Sequence, residues 1–346
     1  MKAIIYSSLF LALALGSDAF GPANIQKVRT TTTRTTRTTT TNENANHKVH
    51  TSSSLRMYFD FEDEPILIPQ EKYDALLQST LPDTQVSISK STIGHGHGLY
   101  TAIPLPANTI AFTIPLEKCI TLENVRSHPD LGRVLTIMQE DLGDEEGPIA
   151  SLSAFLASEM LREQCAEWEE DLSLSGPYSE YIKILPSGRA VSEQDHVLWW
   201  SNEEVERLFQ GGAAYDKAMA LKDWVQSEGE IIEGMLVSDL AQKMMGLSIS
   251  QVRGAVTTAF VNVLNRSLFN EGGEQQRLVP VLDMCAHSCE PNLECMIDRS
   301  GNVVVSTKRD IQAGEELSIK FYSTEFEGHE WYVMYGFIVP YAAGSS

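Results

Sequence analysis

The chain has 346 residues, 42% of them hydrophobic, which allows two or three average domains, or one core with a large insertion, and a sizeable buried interior. Its 26 basic and 47 acidic residues give a formal net charge of −21. Residues 1–56 hold seven of the basic and two of the acidic residues, so the remainder carries 19 against 45, net −26, a surface that repels nucleic-acid backbones and suits basic partners or simply keeps the body solvated. Five cysteines, at 119, 165, 285, 289 and 295, are an odd number that makes no disulfide framework and points to reduced thiols.

Residues 1–19, MKAIIYSSLFLALALGSDA, combine a lysine, an apolar run from Ser8 to Leu15 and small residues ending in Ala19, the pattern of a secretory signal peptide too short to span a bilayer. Residues 20–56 carry Lys27, Arg29, Arg34, Arg37, Lys48 and Arg56 against one acid, Glu43, among threonine runs. So polar a segment cannot repay its ordering entropy and is expected to be disordered. A signal peptide followed by a hydroxylated, arginine-bearing stretch, with Phe20 just past the cleavage point, resembles the bipartite plastid presequence of algae with secondary plastids. That resemblance implies a plastid reached through the secretory route. The alternative is a secreted or lumenal protein with a threonine-rich stalk.

An N-terminal extension, 57–83, opens on the acidic, proline-bearing FEDEPILIPQ and then predicts a short helix from Glu71 to Gln78. QVSISKST from Gln85, the GHGHG turn at 94–98 leading into LYTA, and NTIAFTIP from Asn108 predict strands of a first β part, 84–123. The period then becomes helical over an insertion at 124–277. Leu152, Phe155, Leu156 and Met160 share one face, as do Val252, Val256, Phe260 and Val263. Ser201 with Glu204 makes a capping box ahead of Val205, Leu208 and Phe209, with Gly211 as the stop. In a second β part, 278–346, RLVPVLDM, LECMID, VVVSTKRD and ELSIKFY predict strands with a turn at RSGN, and FEGHEWYVMY predicts a last helix closed by Gly336. A β core split by a helical block and followed by a C-terminal helix is α+β, without the crossovers of a doubly wound sheet.

Three groups of residues are candidates for chemistry. GHGHG lets backbone approach a ligand closely, but a phosphate loop must open a helix and LYTAIPLP follows instead, so a tight ligand-free hairpin is the competing reading. In VPVLDMCAHSCEPNLECM, 279–296, the thiols and His287 lack the paired CxxC knuckles of a structural zinc site. Asp283, His287 and Ser288 have no GxSxG elbow, and nothing local activates Cys289 as a nucleophile. Phe321, Tyr322, Tyr332 and Tyr335 are core packing or, at a strand end, a source of a pocket hydroxyl.

In order, GHGHGLYTAIPLPANTIAFTIPLEKCIT, SGPYSEYIKILP with LWWSNEEVERLFQGG, RLVPVLDMCAHSCEPN, and AGEELSIKFYS with WYVMYGFIVP resemble SET-domain protein methyltransferases, in the branch of the Rubisco large-subunit lysine methyltransferase. The resemblance runs from about Val86 to Pro340. It implies S-adenosylmethionine as methyl donor, no metal, and transfer to a protein side-chain nitrogen, usually lysine, with histidine as the acceptor in some relatives. Such transfer needs a neutral amine aligned with the methyl and polar groups that orient it. A cationic donor beside the substrate favours loss of the lysine proton.

By the same resemblance, backbone at His95, Gly96 and His97 holds the donor's amino-acid part and the Ala286–His287 pair lies against its adenine. Arg266 lies near donor and substrate, Asp283 lies beside the substrate, and Tyr322 is the hydroxyl that orients the amine next to the donor. The implied partner is a protein, with a basic segment suited to the acidic body; nucleic acid and, in the mature form, membrane are not expected. Two departures stand out. Ala286 replaces the family's asparagine, and FYS replaces its tyrosine-glycine pair, so either Phe321 or Tyr322 takes the tyrosine's place, with the spacing to Gly336 favouring Tyr322. Close relatives continue past the equivalent of Ser346 into a helical substrate-binding lobe. The alternative expectation is a catalytically silent SET-like module that binds a protein partner.

Overall fold

Strand β1, Val86–Lys90, runs antiparallel to β2, His97–Thr101, with Val86 opposite Thr101 and Lys90 opposite His97. The alternation that predicts the hairpin places Ile88 opposite Leu99, and both are buried. In this computed structural model the residues described are 67–94, 96–169, 175–188, 195–243, 247–268, 276–321 and 333. The segments read as signal peptide and transit-like sequence therefore lie outside the described residues, as does the closing helix predicted over FEGHEWYVMY, apart from helical Val333.

Helix α1, Gln70–Thr80, precedes the hairpin, with Tyr73 and Leu76 buried and the Gln70 side chain donating to the Ile88 carbonyl at 2.9 Å. Strands β3, Ile110–Ile114, and β4, Ile120–Thr121, complete the first β part. Helix α2, Leu122–Arg126, starts on a capping box between Thr121 and Asn124. Helix α3, Gly132–Glu169, is broken at Gly143, whose φ of 80° and ψ of −170° are not helical, and Pro148 lies early in its second part. Helices α4, Ser179–Ile182, α5, Asn202–Phe209, α6, Ala213–Lys243, and α7, Ile249–Arg266, follow.

The Ser201–Glu204 capping box is present at the start of α5. Its end differs from expectation by one residue. Gln210, not Gly211, is the first residue in the left-handed region, at φ 49°, and Gly211 and Gly212 continue with positive φ. Leu152, Phe155 and Leu156 of α3 are buried, as are Val252, Val256, Phe260 and Val263 of α7, and these two helices pack on each other. Burying each such side chain is worth about 1.5–3 kcal/mol, so this pair of faces anchors the insertion.

After the insertion come β5, Ser267–Leu268, β6, Arg277–Leu278, β7, Ala286–His287, β8, Leu293–Ile297, β9, Val303–Thr307, and β10, Glu316–Ile319. RLVPVLDM is a strand only over its first two residues. Pro280 cannot donate to a ladder, Val281 takes φ 74°, and Leu282–Met284 form a 3-10 turn, so apolar composition there reflects burial and not pairing.

The strand orders are β1-β2-β10-β7, β3-β9-β8 and β4-β6-β5. Each sheet joins a strand from before the insertion to one from after it, which is why the halves form one α+β core. In the first sheet β10 is antiparallel to β2, with Leu317 opposite Leu99, and parallel to β7, with Ser318 opposite Ala286. Ile88, Leu99 and Leu317 thus make a buried row across three strands.

Candidate functional site

The sheet order brings the GHGHG turn beside the Ala286–His287 strand. Between β1 and β2 the Ser91 amide donates to the Gly96 carbonyl at 2.9 Å, and Gly96 has φ 67°, a conformation that suits glycine. A Cβ added to Gly94 would stand 3.1 Å from the Ala286 Cβ, so turn and strand are in close contact. A Cβ added to Gly96 would meet nothing within 4 Å among the described residues.

Glu316, at the start of β10, reaches over this turn. Its Oε2 accepts from the Thr92 amide at 2.7 Å, the Thr92 hydroxyl at 2.6 Å, the Ile93 amide at 3.2 Å and the Tyr100 hydroxyl at 2.8 Å. Its Oε1 accepts from the Ser91 hydroxyl, which in turn accepts from the Gly94 amide at 2.7 Å. A Cβ on Gly98 would run into Oε1, so glycine there is what admits the carboxylate. Burial pushes the Glu316 carboxyl up, but the hydrogen bonds from Ser91, Thr92 and Tyr100 outweigh it and hold the group below the usual glutamate range.

His287 Nδ1 accepts from the Phe321 amide at 3.0 Å, which assigns the proton of the neutral ring to Nε2. Burial, together with the positive charge of Lys320, lowers the His287 pKa, so the imidazole is neutral at pH 7. The Phe321 ring lies against it, centroids 5.2 Å apart. Asn292 is buried; its Nδ2 donates to the Glu316 carbonyl and its Oδ1 accepts from the Ser318 amide, both at 2.8 Å. This asparagine ties the end of the loop to β10. His97 stacks on Tyr73 of α1, centroids 4.3 Å apart, with the Tyr73 hydroxyl 3.2 Å from Nδ1.

A second cluster lies at the C-terminus of α7. The Asp283 side chain is fully buried, and its Oδ2 accepts from the Tyr181 hydroxyl at 2.7 Å and from Arg266 Nη1 at 3.2 Å. Burial raises the Asp283 pKa, against the opposing pull of Arg266 and Tyr181. Asp283 Oδ1 and Arg266 Nε are buried without a hydrogen-bond partner among the described residues. The sequence candidates Arg266 and Asp283 are therefore brought together, and Tyr181 from the insertion joins them.

The family model described as SET domain matches residues 96–322, about two-thirds of the sequence. The chain belongs to the SET-domain family. Its fold is similar to that of the SET domain of LSMT bound to lysine and AdoHcy, with a TM-score of 0.59 and 21% identity over 78% of this chain and 57% of that one. It is likewise similar to Rubisco LSMT bound to AdoMet, TM-score 0.60, and to Rubisco LSMT bound to sinefungin and monomethyllysine, TM-score 0.59, each at 22% identity over 79% of this chain and 57% of that one. The chain thus spans little more than half the length of these LSMT chains. No curated protein sequence matches it.

Within the SET fold, His97 sits on β2 and Ala286 and His287 on β7, the two strands that flank β10, and Gly96 sits in the turn between β1 and β2. His95 and Tyr322 lie outside the described residues. Sequence reasoning passed over Glu316, Tyr181 and Asn292. Each lies inside a quoted motif, yet its partner is distant in sequence, 225 residues away for Ser91 and Glu316. The residues present fit a sulfonium donor. Gly96 backbone is open among the described residues, the His287 ring is neutral, and the Arg266 charge is matched by Asp283. Among the described residues no group of three or more His, Cys, Asp or Glu could hold a metal ion.

Proposed function

We propose that this SET-domain chain is an S-adenosylmethionine-dependent methyltransferase acting on a lysine side chain of a protein substrate. The observation that supports the reading is the contact of Gly94 in the GHGHG turn with Ala286 inside a SET fold, which sets residues nearly 200 apart side by side. When bound, S-adenosylmethionine supplies an electrophilic methyl group on a sulfonium. Backbone at His95, Gly96 and His97 would bind its amino-acid part, and Ala286 with neutral His287 its adenine. Arg266 and Asp283 would line the substrate side, and the Tyr322 hydroxyl would orient the acceptor amine. The net −26 of the body favours a basic segment of the substrate protein.

One observation favours a second reading. Ala286 offers no side-chain amide where the family's asparagine stands, which fits a silent module that binds a protein through the same groove. Calorimetric titration of the protein with S-adenosylmethionine, paired with methyl transfer to proteins of an organellar extract, separates the two. Binding with transfer to lysine supports the enzyme; transfer to histidine keeps the chemistry and changes the acceptor. Binding without transfer in any extract favours the silent module, and no binding at millimolar donor overturns the enzyme reading. We further propose a plastid location, on the composition of residues 1–56.

A further inference from the structure

We infer that Glu316 is a positioning residue for the donor side of the site, holding residues 91–94 of the turn in the shape that binds; this rests on the methyltransferase reading above. The turn needs such a residue. It contains Gly94 and Gly96, with Gly98 just beyond, and a glycine chain loses more conformational freedom on ordering than any other. A turn left free in the unbound protein would have to be ordered by the ligand itself, at a cost in affinity.

The Glu316 carboxylate meets that need from a rigid place. It is buried at the start of β10, between β2 and β7, and accepts from two consecutive backbone amides, Thr92 and Ile93, and three hydroxyls, Ser91, Thr92 and Tyr100. The Ser91 hydroxyl extends the clamp to the Gly94 amide, and Gly94 rests on Ala286. A continuous path therefore runs from Glu316 through Ser91 and Gly94 to the strand read as the adenine wall. The Gly98 side of β2 is kept clear for the carboxylate. Because Glu316 touches the turn's outer side chains and amides and not the open face at Gly96, it acts on the donor only through the turn.

The test compares Glu316→Ala, Glu316→Gln and Ser91→Ala with the unaltered full chain, by donor calorimetry, steady-state kinetics, thermal unfolding, and amide hydrogen exchange at Thr92, Ile93 and Gly94. Glu316→Ala is expected to weaken S-adenosylmethionine binding and raise its KM by about tenfold to a hundredfold, from the loss of several hydrogen bonds to a charged group. At saturating donor, kcat should stay within about threefold, because ground-state and transition-state binding fall together. Glu316→Gln should recover donor affinity to within about threefold of the unaltered chain, since its amide oxygen keeps the donors that point at Oε2. As pH falls below the usual glutamate range the unaltered chain should lose affinity as Glu316 protonates, and Glu316→Gln should not share that loss.

Faster exchange at 92–94 in Glu316→Ala, with the rest of the β core unchanged, reports the loosened turn even without a donor. If the unaltered chain binds no donor, the methyltransferase reading fails, and exchange at 92–94 still decides whether Glu316 holds the turn. Unchanged exchange together with unchanged donor affinity in folded Glu316→Ala would overturn the positioning role. So would a Gln variant as impaired as the Ala variant. Should Glu316→Ala fail to fold, Ser91→Ala, which removes only the link to Gly94, is expected to give a smaller rise in donor KM, and no rise would overturn the proposal.

Discussion

Replacing Tyr181 by phenylalanine removes one hydroxyl from a fully buried carboxylate and nothing else. The bond lost is 2.7 Å long, between a buried tyrosine and an Asp283 side chain with no solvent exposure. A hydrogen bond to a charged group is worth about 1.5–3 kcal/mol, and Arg266 Nη1 still holds the same oxygen at 3.2 Å, which puts the cost near the lower figure, about 1.5 kcal/mol. The ring stays, so no cavity adds to it. At roughly 2–4 °C per kcal/mol for a chain of this size, the unfolding midpoint at pH 7 should fall by about 3–6 °C.

The penalty carries a pH signature. Burial raises the Asp283 pKa, so in the window above the ordinary aspartate value the folded chain binds more protons than the unfolded chain, and stability falls as pH rises through it. Tyr181 is one of the groups that hold this pKa down. Without its hydroxyl the window extends to higher pH, and the gap between variant and unaltered chain grows as pH rises. At low pH Asp283 is protonated in both, the lost bond is a neutral one of about half the strength, and the gap shrinks. Thermal unfolding by calorimetry at several pH values reads both effects. A midpoint unchanged at pH 7, or a penalty that does not vary with pH, would refute the idea that this hydroxyl supports a buried charge.

Gly98→Ala should destabilise the protein by about 1–3 kcal/mol in denaturant unfolding, because its Cβ must displace the Glu316 carboxylate from the turn. Tyr322→Phe should lower methyl transfer by about a hundredfold or more while leaving donor affinity unchanged, the mark of a hydroxyl that acts on the reacting amine; unaltered turnover would shift that role away from Tyr322. A fluorescent protein carrying residues 1–56 should enter the plastid of an alga with secondary plastids, and secretion without plastid entry would refute the presequence reading.

What sequence made legible was local or periodic. The faces of α3 and α7 repeat every three or four residues, and the Ser201–Glu204 capping box closes within one turn, so composition and spacing suffice to find them. The meeting of GHGHG with residues 286–287 was legible only through family resemblance, since no spacing links positions 94 and 286. Glu316 and Tyr181 were not legible at all. An acidic residue in GEEL reads as surface charge, and a tyrosine in YIKILP reads as core, until the fold sets one against Ser91 and Thr92 and the other against Asp283. The RLVPVLDM strand failed for a related reason: burial and pairing call for the same apolar residues, and only Pro280 argued locally against a ladder.

Val281 connects these observations. At φ 74° and ψ −49° it occupies a region that a β-branched residue enters at a cost of roughly 1–3 kcal/mol, and it is completely buried. The strain has a structural outcome. Pro280 ends the strand, Val281 reverses the chain, and the Asp283 amide then donates to the Val279 carbonyl at 3.1 Å while the Met284 amide donates to that of Val281 at 3.1 Å. Five residues after β6 the chain has turned far enough to bury the Asp283 carboxylate against Tyr181 and Arg266, and three residues later it enters β7 beside β10. A relaxed, extended Val281 would carry the apolar run on as a strand and leave Asp283 without its two donors. The local conformational cost is offset by the hydrogen bonds at Asp283 and by the burial of Val281 itself.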